Sequence, residues 1–469
     1  MPELPEVETV RKLLEPVVKN EEIADIVVYK KRIVQGSPDV FINTLRGHHF
    51  TSISRIGKYL IFHLDNNLVL LSHLRMEGKY IEIGPKDQIS RFCRVLFVFK
   101  SGKRLCYDDS RQFGIMKLTD EKHFLTEKEL TNVGPEPFVV DKDYFYQRLH
   151  RLKKSTKEAI LDQKIMTGLG NIYADEVLFA TKIHPETPAC TLSKSQTDDI
   201  ISSSIRILNA AIAAGGSTIR SYHPSKGIDG HFQNTLQAYG REGEKCSRCG
   251  HIMKKIRVGG RGTTYCPYCQ INPTKPVVVG ITGPVASGKS LVTKIFTAAG
   301  FVPFDSDMVV RGLYDDAGFK DVVEKILETN ITDSEGRIDR RKIGQIIAGD
   351  DRKRKAIEHV IHPLVRTKLE EAIANSSAPF LVAEVPLLFE SGFEDLMQYV
   401  VGVTTETSKQ IEFLKNRGSD VDLSLNLNAS NKFARYEKKV DYLIINLFSQ
   451  EELKTTVNKI IFDIKSSRQ

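Results

Sequence analysis

Between Cys266 and Ser290 the chain reads CPYCQINPTKPVVVGITGPVASGKS, and this stretch constrains the fold more than any other. It begins by closing a pattern of two CxxC knuckles and ends in a G-x-x-x-x-G-K-S loop that leaves an apolar run. The knuckles need four convergent thiolates, whereas the loop needs a buried strand before it and a helix after it. These are parts of different folding units. Only residues 271–276, INPTKP, separate them, so two units joined by a short proline-containing linker are expected.

At 469 residues the chain can form two or three domains, and an apolar fraction of 41% with 27% charged residues is that of a folded soluble protein. A stretch of about 18 apolar residues is missing, so no membrane contact is expected. The start, MPELPEVETV, is acidic and has no signal-peptide core, which points to the cytoplasm. The net charge of +8 is uneven: residues 1–270 carry +9 and residues 271–469 carry −1. The first part therefore has the surplus of a polyanion binder, or merely a solvated basic surface.

Cys246, Cys249, Cys266 and Cys269 form C-x2-C-x16-C-x2-C, the spacing of a closed tetrahedral Zn2+ site with a structural role. The turn-rich KKIRVGGRGT between the knuckles would project Arg261 toward a phosphate backbone. Cys93, Cys106 and Cys190 are expected to be reduced packing residues. Val7, Val10, Leu13, Leu14, Val17 and Val18 trace one face of a helix. IADIVVY, KYLIFHL, LVLLSHL and RVLFVF then read as strands up to about Leu118. Helical periods return over Ser155–Ile165, Asn171–Thr181 and Ser193–Ala214.

MPELPEVETV, GKYL, SHLRMEGKY, DDSRQFG, LDQKIMTGLGNIYADEVLF, GGSTIRSY and CPYCQ, in that order across residues 1–270, resemble the formamidopyrimidine-DNA glycosylase family. The resemblance implies a β-sandwich domain at 1–135, a helix-two-turns-helix DNA-binding domain at 136–235 and a zinc-finger hairpin at 236–270. It implies removal of oxidised purines (formamidopyrimidine, 8-oxoguanine) from double-stranded DNA, with lyase action at the resulting abasic site. Pro2, once Met1 is removed, would be the nucleophile, and its secondary α-amine titrates near pH 8, well below lysine. A proline entering a first helical turn, and carboxylates offsetting a helix dipole, are the plainer readings of Pro2, Glu3 and Glu6. The resemblance makes Glu3 the proton donor, Glu6 a support for the nucleophile's placement and Lys58 a contact with DNA near the lesion. Met76, Arg111 and Phe113 match the wedge that fills the gap left by an extruded base. Asn171 with adjacent backbone amides, and Lys157, would hold phosphates. Ser217–Tyr222 match the loop covering the extruded purine.

In the second part VVVGIT runs into Gly283, Pro284, Val285, Ala286, Ser287, Gly288, Lys289 and Ser290, followed by helix-forming LVTKIF. This context makes the loop a phosphate cradle for ATP, with Lys289 on the phosphates and Ser290 on Mg2+, in a parallel three-layer α/β domain at 277–469. FVPFDSD, RRKIGQII, IHPLVR, EVPLLFE and DYLIIN resemble dephospho-CoA kinase. That resemblance makes Asp307 the base for the ribose 3′-hydroxyl of dephospho-CoA, with Asp305 assisting. It places His362, Arg366, Leu388, Phe389 and Glu390 around the acceptor. Arg417 fits the first of two lid arginines; no arginine stands at the second position, and Arg435 is out of step. A monomeric bifunctional enzyme is expected. The alternative is an active glycosylase carrying a nucleotide-binding appendage with a decayed lid.

Overall fold

Helix α1 (Leu4–Val18) joins two hydrophobic cores of the first unit. The protein is represented by a computed structural model that describes residues 1–217, 231–333, 338–416, 421, 433–447 and 449–466. Pro5 stands in the first turn of α1, where its missing N–H has no intrahelical use, and the Glu6 carboxylate caps the turn by accepting from Glu3 N at 2.9 Å. Val7, Val10, Leu14 and Val18 recur at helical spacing and bury into a β-sandwich, while Leu4 packs into a separate helical core.

The sandwich is two antiparallel four-stranded sheets. One has the order β1 (Ile23–Val28), β6 (Cys93–Phe99), β7 (Arg104–Asp108), β5 (Lys79–Ile83), and the other β2 (Phe50–Ile56), β3 (Tyr59–Leu64), β4 (Leu68–His73), β8 (Ile115–Asp120). Helix α2 (Pro38–Leu45) adds Phe41 and Leu45 to their shared core. There the ring of Phe50 lies 5.3 Å from Phe62 and 6.1 Å from Phe97. Burying each such side chain stabilises the fold by about 1.5–3 kcal/mol. The pairing of β6 with β7 corrects one expectation: Cys93 and Cys106 fall on adjacent strands with Cα atoms 5.8 Å apart and are joined as a disulfide. Strand register, invisible in a separation of 13 residues, brings them together.

After α3 (Lys128–Thr131) and α4 (Lys142–His150), α5 (Thr156–Leu161) starts on a Ser155–Glu158 capping box. It stops earlier than its sequence period because Gln163 Nε2 donates to Leu161 O and Leu169 O and folds the chain into a turn. Helix α6 (Asn171–Ala180) is buried from Ile172 to Phe179, and α7 (Lys194–Ala213) packs beside it. The acidic residues inside α6 are matched by donors: Glu176 accepts from the amides of Gln237, Ala238 and Tyr239, and Asp175 from Lys157. Strands β9 (Lys254–Val258) and β10 (Arg261–Tyr265) form a hairpin, turned by Gly259 and Gly260 at φ 54° and 75°.

The chain divides into units Met1–Gln270 and Ile271–Gln469. The second is built on a parallel sheet of order β12 (Val302–Asp305), β13 (Phe380–Glu384), β11 (Val277–Thr282), β14 (Tyr399–Thr404), β15 (Tyr442–Ile445). Central β11 is buried at every residue, as a strand covered on both faces must be. Helices α8 (Lys289–Ala298), α9 (Ser306–Leu313), α10 (Ala317–Leu327), α11 (Arg340–Gly349), α12 (Asp351–Asn375), α13 (Thr407–Asn416) and α14 (Gln450–Ser466) complete it. Phe319, Val323, Leu327, Ile343 and Ile357 give α10, α11 and α12 a small core of their own.

Candidate functional sites

In the first unit the site is built where α1 begins and α6 begins. Glu3 Oε2 accepts from Gly170 N at 2.6 Å, and its Oε1 accepts from Ile172 N at 2.9 Å, so one carboxylate caps the positive end of α6. This approach dictates glycine in the GLG turn: a Cβ on Gly170 would lie 2.3 Å from Glu3 Cδ, and one on Gly168, at φ +106°, would meet Leu4. Burial raises the Glu3 pKa, opposed by Lys58 and by the α6 amides. Glu6 is raised to about 7 by burial and then by Glu3, although Tyr173 Oη donates to it at 2.6 Å and Ser217 N at 2.8 Å. Lys58 is buried beside Gly57 and donates to Leu169 O at 2.7 Å; burial lowers it to about 8 against the pull of Glu3 and Glu6. The α-amine of Met1 is likewise lowered, chiefly by burial.

Pro2, Glu3, Glu6, Lys58, Met76, Asn171 and Arg261 line one cavity of about 490 Å3. Ser217, Tyr239 and Gln163 join them there; the sequence reading gave the last two no role. Arg111 and Phe113 stand in the β7–β8 loop outside that lining. The Asp109 carboxylate accepts the amides of Arg111, Gln112 and Gly114, which sets the loop so that Arg111 lies 5.2 Å from the Phe113 ring. Phe113 is 45% exposed and Met76 38%, high for apolar side chains.

Two expectations change. Lys157 is fully buried: it pairs with Asp175 at 2.6 Å and donates to Thr263 Oγ1 at 2.7 Å, so it docks the hairpin on α6 and does not reach for a phosphate. The amides of Gly170, Ile172 and Tyr173 at the start of α6 donate to Glu3, and Asn171 Nδ2 donates to Gly262 O at 2.9 Å, so these groups are engaged within the protein. Of the covering loop, residues 218–222 lie outside the described residues.

The four knuckle cysteines bring their sulfurs within 4.8 Å of one another, with Cys249 and Cys266 at 3.4 Å and Cys246 and Cys269 at 3.9 Å. Four thiolates around one Zn2+ stand about 3.8 Å apart, so this set fits the ion and leaves no open position.

In the second unit β11 runs into the glycine loop and α8. Gly283 and Gly288 are required: added Cβ atoms would lie 2.0 Å from Val403 O and 2.4 Å from Asn446 Nδ2. Val285 O accepts from Gln410 Nε2 and Ser287 O from Asn446 Nδ2, which fixes the loop around Pro284 and Ala286. Lys289 Nζ folds over it onto Gly283 O and Pro284 O at 3.0 and 2.8 Å. Ser290 Oγ donates to Glu384 Oε1 at 2.9 Å, and Thr293 Oγ1 to Glu384 Oε2 at 3.0 Å. Parallel pairing of β13 with β11 puts Glu384 there, a residue the sequence showed only inside EVPLLFE.

A cavity of about 470 Å3 runs from Lys289, Ser290, Asp307 and Glu384 to Arg354, Ile357, Ile361 and His362. Burial and Asp305 raise Asp307, against Lys289. Asp305 itself caps α9, accepting from the amides of Asp307 and Met308, and does not line the cavity. His362 lies inside α12, with its pKa lowered by burial; Pro363 sits within the helix and does not start one. Arg366, expected at the acceptor, is instead held by Asp395 at 2.6 Å and Glu370 at 3.0 Å, outside the lining. Leu388 is core against Gly280, Phe389 stacks on Tyr436 at 4.8 Å, and Glu390 is exposed. Leu387 and Ser391 line the cavity in their place. Arg417 lies outside the described residues.

Residues 1–116 match the formamidopyrimidine-DNA glycosylase N-terminal domain, 133–223 its H2TH domain, 243–271 a zinc finger found in FPG and IleRS, and 277–446 dephospho-CoA kinase. Among curated proteins, formamidopyrimidine-DNA glycosylase of Lactobacillus johnsonii is 42% identical over 276 residues, which is 58% of this chain and 99% of that protein. That of Ligilactobacillus salivarius is 46% identical with the same coverage. Among solved structures, Lactococcus lactis Fpg bound to DNA containing N7-benzyl-Fapy-dG is 41% identical, with a TM-score of 0.55, and covers 58% of this chain and 100% of its own. The same enzyme bound to abasic-site DNA is 40% identical, with a TM-score of 0.54, and covers 57% of this chain and 99% of its own.

Proposed function

The chain belongs to the formamidopyrimidine-DNA glycosylase family over its first unit and carries a dephospho-CoA kinase domain in its second, and from this we propose two complete active sites in one polypeptide. The first unit is a DNA glycosylase. Its substrate in our reading is duplex DNA bearing an oxidised purine, and the observation that carries the mechanism is the shared cavity of Pro2, Glu3 and Lys58.

With Met1 removed, the Pro2 nitrogen attacks C1′ of the lesion nucleotide. The C1′–N9 bond breaks and the base leaves with a proton from Glu3; the Pro2 nitrogen then gives up its own proton as the C1′–O4′ bond opens and O4′ takes one up, so a C1′ iminium remains on the ring-opened sugar. Loss of a C2′ proton then expels the 3′-phosphate and cuts the strand. Glu3 suits the donor role because burial raises its pKa, while Lys58 offers a cation near the reacting sugar. Met76, Arg111 and Phe113 would fill the vacated stack, and Arg261 would contact the backbone. Borohydride reduction with an 8-oxoguanine duplex should trap a covalent adduct that is lost in Pro2→Gly; full trapping by protein retaining Met1 would overturn the nucleophile.

In the second unit we read the glycine loop as the ATP site and Asp307 as the base that takes the proton of the 3′-hydroxyl of dephospho-CoA. Ser290 and Glu384 offer an oxygen-only pair suited to Mg2+, which when bound supplies positive charge beside the phosphates. ATP-dependent 3′-phosphorylation of dephospho-CoA, absent in Lys289→Ala, is the expected result. ATP binding without transfer would favour the appendage reading.

A further inference from the structure

With Arg366 tied to Asp395, the acceptor end of the 470 Å3 cavity needs another cation for a phosphorylated acceptor. We propose that Arg354 on α12 is that residue, gripping a phosphate oxygen of the acceptor's diphosphate. This rests on the second unit being a dephospho-CoA kinase. Apart from Lys289 on the glycine loop, Arg354 is the one lysine or arginine among the cavity's described lining residues.

Its surroundings hold it in place without using up its donors. Nη2 pairs with Asp351 one turn earlier on α12. Nε stands 3.8 Å from Glu358 Oε1, too far for a hydrogen bond, and is buried with no hydrogen-bond partner. A guanidinium has five N–H donors in a planar fork that matches a phosphate, and Arg354 keeps 20% of its side chain exposed in the cavity lining, so donors not spent on Asp351 are there for an acceptor oxygen. The two carboxylates orient the fork, and Glu358, itself in the lining, sets a limit on how closely an anion approaches. Ile357 and Ile361 on the same helix, with Ile347 of α11, make an apolar wall beside it. Charge next to an uncharged wall suits a molecule in which a diphosphate continues into an uncharged amide arm, as in dephospho-CoA.

The test is steady-state kinetics of the intact chain, with dephospho-CoA varied at saturating MgATP, for wild type, Arg354→Ala and Arg354→Lys. Losing a hydrogen bond to a charged group should raise KM for dephospho-CoA roughly tenfold or more. We expect kcat to stay within about threefold and the Kd of a fluorescent ATP analogue to stay unchanged. Arg354→Lys should recover part of the KM, since it restores the charge but not the fork. Arg366→Ala should lower the melting temperature without moving that KM. An unchanged KM in Arg354→Ala, or ATP affinity falling in step with it, would overturn the assignment while the kinase reading stands. A wild-type chain that transfers nothing to dephospho-CoA would overturn both.

Discussion

Glu3 stands at the N-cap of α1 while its carboxylate caps the start of α6, and this double placement is why its proton donation can be tested apart from its structural role. Glu3→Gln keeps an acceptor for the α6 amides but removes the transferable proton. We expect single-turnover release of 8-oxoguanine to fall by about 10^2-fold or more, with strand cleavage at a preformed abasic site largely retained. Equal loss on both substrates would count against the donor role. Glu6 yields a stability prediction whose sign follows from its raised pKa of about 7 against an ordinary 4.5. Its neutral form is favoured on folding, so this contribution is full below about pH 4.5 and lost as pH rises through about 7. Glu6→Gln should therefore gain stability relative to wild type between pH 5 and pH 8, read as the difference in melting temperature; a constant difference would refute the shift. The motif residues made both carboxylates legible in sequence, but not the neighbours that perturb them, because Gly170, Tyr173 and Ser217 are remote in the chain.

Helix α6 and the β9–β10 hairpin form the next scale, and Lys157 is the residue that joins them. Breaking its fully buried pair with Asp175 leaves an uncompensated carboxylate, so Lys157→Ala should cost about 3–5 kcal/mol in chemical denaturation of the first unit. A phosphate ligand would behave differently: stability would hold, and the salt dependence of DNA binding would weaken by about one counterion. Removing zinc with a chelator should unfold the hairpin, displace Arg261 from the cavity and weaken duplex binding, measured by anisotropy before and after zinc is restored. The cysteine spacing announced the hairpin. Its docking partner was hidden because a lysine in a polar-looking stretch reads as surface charge until tertiary burial is known.

For the whole molecule the relevant fact is two compact units meeting at Gln270 and Ile271. We expect a chain cut within residues 271–276 to keep its Kd for lesion DNA and its KM for dephospho-CoA within about twofold; a larger loss of either would reveal coupling. The sequence by itself determined the two-unit order, the zinc knuckles, the glycine loop and the family of each part, because each rests on residue types at short fixed spacings that local backbone geometry enforces. The helix periods of α1, α6 and α7 were legible for the same reason. Only the tertiary structure decided which charged side chains face a cavity: Lys157 and Arg366 pair with carboxylates elsewhere, and Arg354 and Glu384 emerged beside the glycine-loop cavity. It also brought Cys93 to Cys106 and set Glu3 on the end of α6. The physical reason is that a charged side chain's partner is chosen by strand register and helix packing, which join residues far apart in the chain, and no local spacing encodes that choice.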